Sequence, residues 1–432
     1  MLFNSVDFLV FFAFVITISV IIKNKNFSYV FLVAVSYIFF YFSNNFLISL
    51  LVFSTVLDFY IAKAIWSTDD KSKKKKLLLI SIIGNLGLLG FFKYADFGIS
   101  QFNDLFKLIG LNDVPLLEIA LPVGISFYTF QTLGYTIDVY RGQLSPAKSF
   151  KEFALFVAFF PQLVAGPILR ASNFLPQIRE KFSQLDAKNY LQQILIQRTN
   201  LKIGLTLMSF GFFKKMFFAD NIAPFVDEIF LNPIGLDSFA IILGTIGFGI
   251  QLYCDFSGYS DIAIGAALIL GFKVPQNFNF PFFATSPAEF WRRWHISLST
   301  WVRDYVFFPM VINNKKSRLR IFSSLFTTMF LIGIWHGAGW NFVIFGIIHG
   351  LYVGIEASIR SMFPSLRNNS FLKSRLGKII SILTTQYLIF LSFLAFRVRD
   401  LEHLSYSIQK LIFIDLEINE ISGFILEIGR AS

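Results

Sequence analysis

A succession of apolar runs, parted by short polar or basic breaks, limits what this chain can fold into more than any other feature. The runs are Phe8–Ile22, Ser28–Phe42, Phe46–Trp66 and Leu77–Phe92, then about 116–137, 152–166, 201–219, 236–272, 321–335, 340–359 and 379–396. A water-soluble core could not hide them. Hydrophobic residues make up 55% of the 432, 57 of them Phe, and charged residues only 15%, against about 25% in soluble domains. In lipid no such hiding is needed, but each spanning segment must satisfy its own backbone, which requires helices. The expectation is an all-α, polytopic integral membrane protein with about ten or eleven transmembrane helices plus re-entrant and interfacial pieces. Disorder, a collagen-like fibre and a coiled coil are excluded.

The charge pattern sets orientation. The net charge of +11 comes from Lys and Arg in short loops, which is the positive-inside pattern and not a nucleic-acid footprint. Asp7 precedes the first run and Lys23 and Lys25 follow it. That polarity is opposite to a cleavable signal peptide, so the run reads as a retained helix with its N-terminus outside the cytoplasm. Lys71–Lys76 lies two crossings further on, so both basic sites are cytoplasmic and the Ser43–Asn45 break is extracytoplasmic. The 236–272 run is too long for one crossing and carries Asp255, Ser257, Asp261 and several glycines. A broken or doubled helix lining a wet cavity is expected there. The 152–166 run is short and bounded by Pro161 and Pro167, which fits a re-entrant segment. Segment 275–320 carries Arg292, Arg293, Arg303, Lys315, Lys316, Arg318 and Arg320 among aromatics. It is placed on the cytoplasmic face, partly as interfacial helices. With no linker, low-complexity tail or internal repeat, residues 1–432 read as a single membrane domain.

Chemistry has few carriers. Cys254 is the one cysteine, so there is no intramolecular disulfide and no Cys-based zinc site. Of four histidines, His336 stands in Trp335-His336-Gly337-Ala338-Gly339-Trp340-Asn341, between two apolar runs. An imidazole at membrane depth can act as a general base near neutral pH. It can equally be a structural histidine bonded to a neighbouring carbonyl. His349 falls thirteen positions on, on another helix face, so no i, i+4 metal pair forms and no metal site is expected. It reads as a helix-packing or hydrogen-bonding residue. Glu289-Phe290-Trp291-Arg292-Arg293-Trp294-His295 continues to Trp301. Its composition fits an interfacial Trp/Arg anchor. It also fits a cytoplasmic vestibule for an anionic donor such as acetyl-CoA, with arginines on phosphate and Trp on adenine. His403 reads as a solvated loop residue. Gly-x-Ser-x-Gly, Walker-type and dinucleotide signatures are absent from the sequence.

Five ordered segments resemble the membrane-bound O-acyltransferase family, nearest its bacterial alginate O-acetyltransferase branch. They are Leu121–Gln131 with Ile137–Gly142, Phe160-Pro161-Gln162 with Ala165-Gly166-Pro167-Ile168, Asp255–Gly265, Trp291–Trp301 with Arg303-Asp304-Tyr305, and Trp335–Ala338 with Trp340-Asn341. The resemblance covers about residues 90–400. It implies a multi-helix membrane enzyme of the bacterial cytoplasmic (inner) membrane that transfers acyl groups to hydroxyls. His336 takes the family's catalytic position, and His295 is the second motif histidine. Arg292, Arg293, Trp294, Asp304, Asn341 and Asp261 become candidate substrate or donor contacts. No bound cofactor is implied: acetyl-CoA or an acyl-carrier thioester is the donor substrate, an extracytoplasmic glycan the acceptor, and a periplasmic or cell-surface acyltransferase the partner. The helices are expected to ring a central tunnel with His336 near its narrowest point. Two departures stand out. Phe307–Ile312 and a basic patch replace a Pro-Leu-Gly-Gly-type turn, and the chain after Arg397 is short, as in a compact variant or a truncation. The competing readings are D-alanyl transfer to teichoic acid within the family, and a polytopic transporter or flippase.

Overall fold

The computed structural model describes residues 3–21, 25–163, 166–184, 198–312 and 317–415. Lys23, Ala165, Lys315 and Lys316, which enter the topology and motif readings, lie outside them. Among the described residues every regular element is a helix and none is a strand. Six helical stretches are long and apolar enough to cross a bilayer: Asn26–Trp66, Lys71–Leu108, Ser238–Ile269, Arg318–His336, Trp340–Met362 and Arg375–Arg397. The protein is thus all-α and multi-pass.

The first stretch turns back on itself. Helices Lys25–Asn44 and Ile48–Trp66 are joined by one 3₁₀ turn, Asn45–Leu47, with Asn45 at φ 51°; asparagine tolerates that left-handed conformation better than most residues. The Tyr37 hydroxyl donates to Thr55 Oγ1 at 3.5 Å. Two residues equidistant from the turn therefore lie side by side, so the pair is a hairpin, as the Ser43–Asn45 break predicts. Other apolar runs give shorter pieces. The 116–137 run is helical only within Ile125–Tyr140, and 152–166 contributes Phe150–Ala158 and Phe160–Leu163. The 201–219 run splits into Arg198–Phe212 and a π-helical segment, Phe213–Ala219. The larger number of ten or eleven crossings depends on these pieces.

One expectation is overturned. In place of a broken or doubled helix over 236–272 there is a single helix, Ser238–Ile269, of 32 residues. It contains no proline, and its glycines serve close packing: a Cβ at Gly265 would stand 2.7 Å from Met208 Cγ, and one at Gly244 2.8 Å from Ile229 Cγ2. Glycine content can signal irregular backbone, whereas here it marks helix–helix contact.

Contacts divide the chain into two compact units, Met1–Phe212 with Gly258–Asn277, and Phe213–Ser257 with Phe278–Ser432. In the first, helices Ile48–Trp66, Lys71–Leu108 and Ile125–Tyr140 close on a buried polar network. Asp58 accepts from Ser81 Oγ, from Asn85 Nδ2 at 2.8 Å and from Thr136 Oγ1 at 3.0 Å, and Ser54 donates to Asn85 Oδ1. A carboxylate at that depth needs such donors to offset its desolvation. Two motif segments also meet there: Gln162 Nε2 donates to Gln131 Oε1 at 2.8 Å, and Gln131 Nε2 to the Phe156 carbonyl. Gly124, at φ 83°, lets the backbone approach Leu163 O, which a Cβ would meet at 2.6 Å.

The second unit is built on the hairpin of Arg318–His336 and Trp340–Met362. Gly346, Gly350 and Gly354 form one i, i+4 row, facing Phe330, Phe326 and Phe322 in turn, and Gly333 opposes Gly346. Small residues let the two backbones come close, and dispersion between them replaces a hydrophobic effect that lipid does not supply.

Candidate active site

Helix Arg318–His336 ends on the histidine itself. Gly337 is extended and the next helix starts at Trp340. The turn is crowded: a Cβ at Gly337 would enter the Phe342 ring, and one at Gly339 would stand 2.5 Å from Asn341 Oδ1. His336 is half-buried, with the rings of Trp335, Phe396 and Phe345 at 5.0, 5.0 and 5.8 Å. Arg318, Arg320, Arg360, Arg375 and Lys378 all lie toward the opposite ends of the three helices that meet here. The positive-inside rule puts those ends in the cytoplasm. Nineteen helical residues, at about 1.5 Å each, nearly cross a hydrocarbon core of about 30 Å. His336 therefore lies at the end of the hairpin away from these basic residues.

His295 sits between two short helices, Pro287–Arg293 and Ile296–Val302, in the left-handed region at φ 42°, ψ 54°. A side chain other than glycine held there stores about 1–3 kcal/mol of strain, and such strain clusters at functional sites. The imidazole is buried, with its edge against Phe256 at 4.7 Å and Trp335 at 6.0 Å. Burial pulls its pKa down to about 3, so the ring is neutral at physiological pH. Both motif histidines thus pack on one indole, Trp335. That ring sits where it can couple their positions.

His349 uses both ring nitrogens. Trp291 Nε1–H donates to Nδ1 at 3.1 Å, and Nε2 lies 2.9 Å from Ser392 Oγ. The Ser392 hydroxyl donates to the Ile389 carbonyl at 2.6 Å, which assigns the proton of the His349–Ser392 bond to Nε2. His349 therefore ties Pro287–Arg293 to two membrane helices, as its position in an apolar helix suggests.

The remaining predicted residues separate. Trp291, Trp294 and Trp301 are all buried, so the interfacial-belt reading of these rings is corrected: they form the packed interior of the second unit. Trp294 stacks on Phe290 at 5.4 Å and meets Phe278 edge-on at 5.1 Å, which removes it from adenine stacking. Arg293 is held by Glu289 Oε1, at 2.7 and 3.0 Å, and by the Asn279 carbonyl at 3.3 Å. Arg292, in contrast, is exposed and has no polar partner among the described residues. Asp304 pairs with Arg303 at 2.8 Å. Asn341 is buried and donates to the Ala395 carbonyl at 3.1 Å, satisfying an acceptor in the last turn of Arg375–Arg397. Asp261 belongs to the first unit, and His295, His336 and His349 to the second.

Sequence reasoning missed a charged cluster. Lys215 Nζ contacts Asp255 at 2.5 Å and Asp220 at 2.7 Å, and Lys214 lies 5.9 Å from the Tyr253 ring. Both lysines stand on the π-helical segment, a geometry frequent at functional sites. Two lysines inside the 201–219 apolar run were the available signal, by the same rule that singled out His336. Asp255 is thereby accounted for as an ion-pair partner.

Comparison with known proteins places this geometry. Residues 143–393 match the model of the membrane-bound O-acyltransferase (MBOAT) family. The chain is 38% identical to a probable alginate O-acetylase AlgI of Azotobacter vinelandii, over 76% of this chain and 63% of that protein. It is 35% identical to a peptidoglycan O-acetyltransferase of Helicobacter pylori, over 88% and 73%. A teichoic acid D-alanyltransferase of Streptococcus thermophilus is 31% identical over 53% and 55%. The chain spans less than two thirds of the length of the alginate relatives it matches. The match covers both motif histidines and the helices that carry them, and the chain belongs to the membrane-bound O-acyltransferase family.

Proposed function

We propose that this protein is an O-acyltransferase of the bacterial cytoplasmic membrane. It moves acetyl from a cytoplasmic thioester, acetyl-CoA or an acyl-carrier protein, toward hydroxyls of an extracytoplasmic polysaccharide. The observation that carries the reading is the shared contact of His295 and His336 with Trp335, at the end of a hairpin whose other end is basic. His336 accepts the proton of the acceptor hydroxyl as that oxygen attacks the thioester carbonyl, and returns it to the departing thiolate. Base assistance of this kind contributes about 10²–10⁴ in rate. His295, neutral and fixed by its backbone, acts as a positioning residue through the indole. Arg292 is the donor contact, because its guanidinium alone in the Trp291–Trp301 motif is exposed and unengaged among the described residues. Ten or eleven crossings around a wet tunnel, with His336 near its constriction, and a periplasmic or cell-surface acyltransferase partner belong to the same reading.

The teichoic acid relatives support a second reading, D-alanyl transfer, which differs in the acyl group and keeps the same base. The test is sided. Purified protein in proteoliposomes receives radiolabelled acetyl-CoA, acetyl-carrier or D-alanyl-carrier on one face and an acceptor oligosaccharide on the other. Acetyl ester formed across the bilayer is the expected result; label transfer from the D-alanyl carrier alone would favour the second reading, and none from any donor would refute both.

A further inference from the structure

The second unit holds an apolar pocket away from the motif histidines, with a volume of about 350 Å³. That falls in the range of about 300–1,000 Å³ typical of small-ligand sites. Tyr352, Ile355 and Ile359 line it from Trp340–Met362, and Leu388 from Arg375–Arg397. Leu366 and Leu372 close it from the short helices Pro364–Asn368 and Ser370–Lys373. Pro287, Glu356 and Arg360 complete the lining.

The charge gathers at one end. Arg360 stands in the last turn of Trp340–Met362, and Arg375 and Lys378 in the first turn of Arg375–Arg397, the ends that the positive-inside rule puts in the cytoplasm. Tyr352 lies eight positions before Arg360, about 12 Å deeper along the helix. Leu388 lies thirteen positions beyond Arg375, about 20 Å along the opposing helix. The pocket thus runs from a cation at headgroup level toward the middle of the bilayer. Glu356 is committed: Oε2 accepts the Ala288 backbone N–H at 2.8 Å, and Oε1 pairs with Arg360 Nε at 2.8 Å. Its side chain is 14% exposed against 50% for Arg360, so it is the guanidinium that faces outward, with its Nη hydrogens making no hydrogen bond among the described residues.

A ligand matched to this shape has an apolar chain and an anionic head. A sugar or nucleotide would find only the Tyr352 hydroxyl along the walls, and a soluble phosphate would leave the walls uncovered. Phospholipids of the cytoplasmic leaflet carry both parts at this depth, and a guanidinium matches phosphate oxygens with a planar fork.

We propose that this pocket binds one anionic phospholipid of the cytoplasmic leaflet, its phosphate on Arg360 and one acyl chain between Ile355, Ile359 and Leu388. The site is one ion pair and one hydrogen bond from the motif helix Pro287–Arg293, and it does not depend on the acyltransferase reading. Full-length protein is purified in micelles holding equal amounts of phosphatidylglycerol and phosphatidylcholine with identical chains, then analysed by native mass spectrometry. The wild type should retain one phosphatidylglycerol, preferred by about fivefold, as for one basic residue meeting an anionic headgroup. Arg360→Gln should bring the preference close to parity. Ile359→Trp fills the pocket and should remove the retained lipid of either class; both positions are exposed, and circular dichroism checks that both variants are folded. Excess glycerol phosphate, a headgroup without a chain, should displace nothing. Equal retention of the two lipids by the wild type, an unaltered preference in Arg360→Gln, or wild-type retention by Ile359→Trp overturns the site. Displacement by glycerol phosphate would reduce it to a surface anion contact and overturn the pocket as well.

Discussion

Replacing His349 by leucine tests whether this histidine is a structural tie rather than a second base. The change roughly preserves volume and removes two hydrogen bonds. Trp291 is buried, so its Nε1–H, now 3.1 Å from His349, is left without an acceptor. A stranded buried donor costs about 1–3 kcal/mol. Ser392 keeps its bond to Ile389 and loses only the bond it accepts, about 0.6 kcal/mol on the scale measured between membrane helices. His349→Leu should therefore destabilise by about 2–4 kcal/mol. Trp291→Phe removes the stranded N–H, so the double variant should recover about 1–3 kcal/mol relative to the sum of the singles. The assay is denaturant unfolding of purified protein in mixed micelles, followed by circular dichroism, with acyl transfer measured at a temperature where every variant is folded. Additive losses in the cycle would refute the tie. A His349→Leu variant of full stability but no activity would move the base to His349.

Three further outcomes follow from the geometry. Gly350→Leu should lower hairpin stability by about 1–3 kcal/mol, because even a Cβ would stand 2.8 Å from Phe326 Cδ2, while Gly87→Ala, with nothing within 4 Å, should be neutral or stabilising in the same unfolding assay. Arg292→Lys should raise the donor KM about tenfold through loss of the planar fork, with expression and folding unchanged; an unaltered donor dependence would return Arg292 to a membrane anchor. His295 has a folded pKa below its unfolded value, at about 3 through burial, so the unfolded state binds more protons as pH falls below about 6.5. His295 alone should contribute a drop of about 1.4 kcal/mol per pH unit with acidification over that window, and His295→Asn, which suits the left-handed backbone, should make the slope shallower by that amount; an identical slope in the variant would refute the burial argument.

Helical class, multi-pass character and the first hairpin were legible because each follows from a local rule: apolar run length, charge between runs, and an asparagine-rich break. The residues with special surroundings were legible too, since a histidine in Trp335–Trp340 stands out against apolar neighbours. Side-chain destinations were not. Trp294 and Arg292 differ by two positions, yet one is packed among phenylalanines and the other is exposed; at the end of a seven-residue helix that choice is made by what packs against it. The unbroken Ser238–Ile269 helix was not legible because glycine serves both bends and close contacts, and sequence alone does not say which. Several motif residues, Gln131, Gln162 and Asn341 among them, are packing ties, with partners 31 to 54 positions away that no local pattern reveals.

The central claim is that His336 is the base, and acyl transfer by His336→Ala and His336→Gln tests it most directly. Both variants are purified in detergent beside the wild type, and rates are measured with saturating donor and acceptor. The ring is half-buried against aromatic rings at 5.0 Å or more, and the unfolding midpoint of each variant is measured beside the wild type so that rates are compared on folded protein. The account predicts a rate at least about 10²-fold lower in both variants, with donor binding retained. Transfer at the wild-type rate by a folded His336→Ala protein would contradict it.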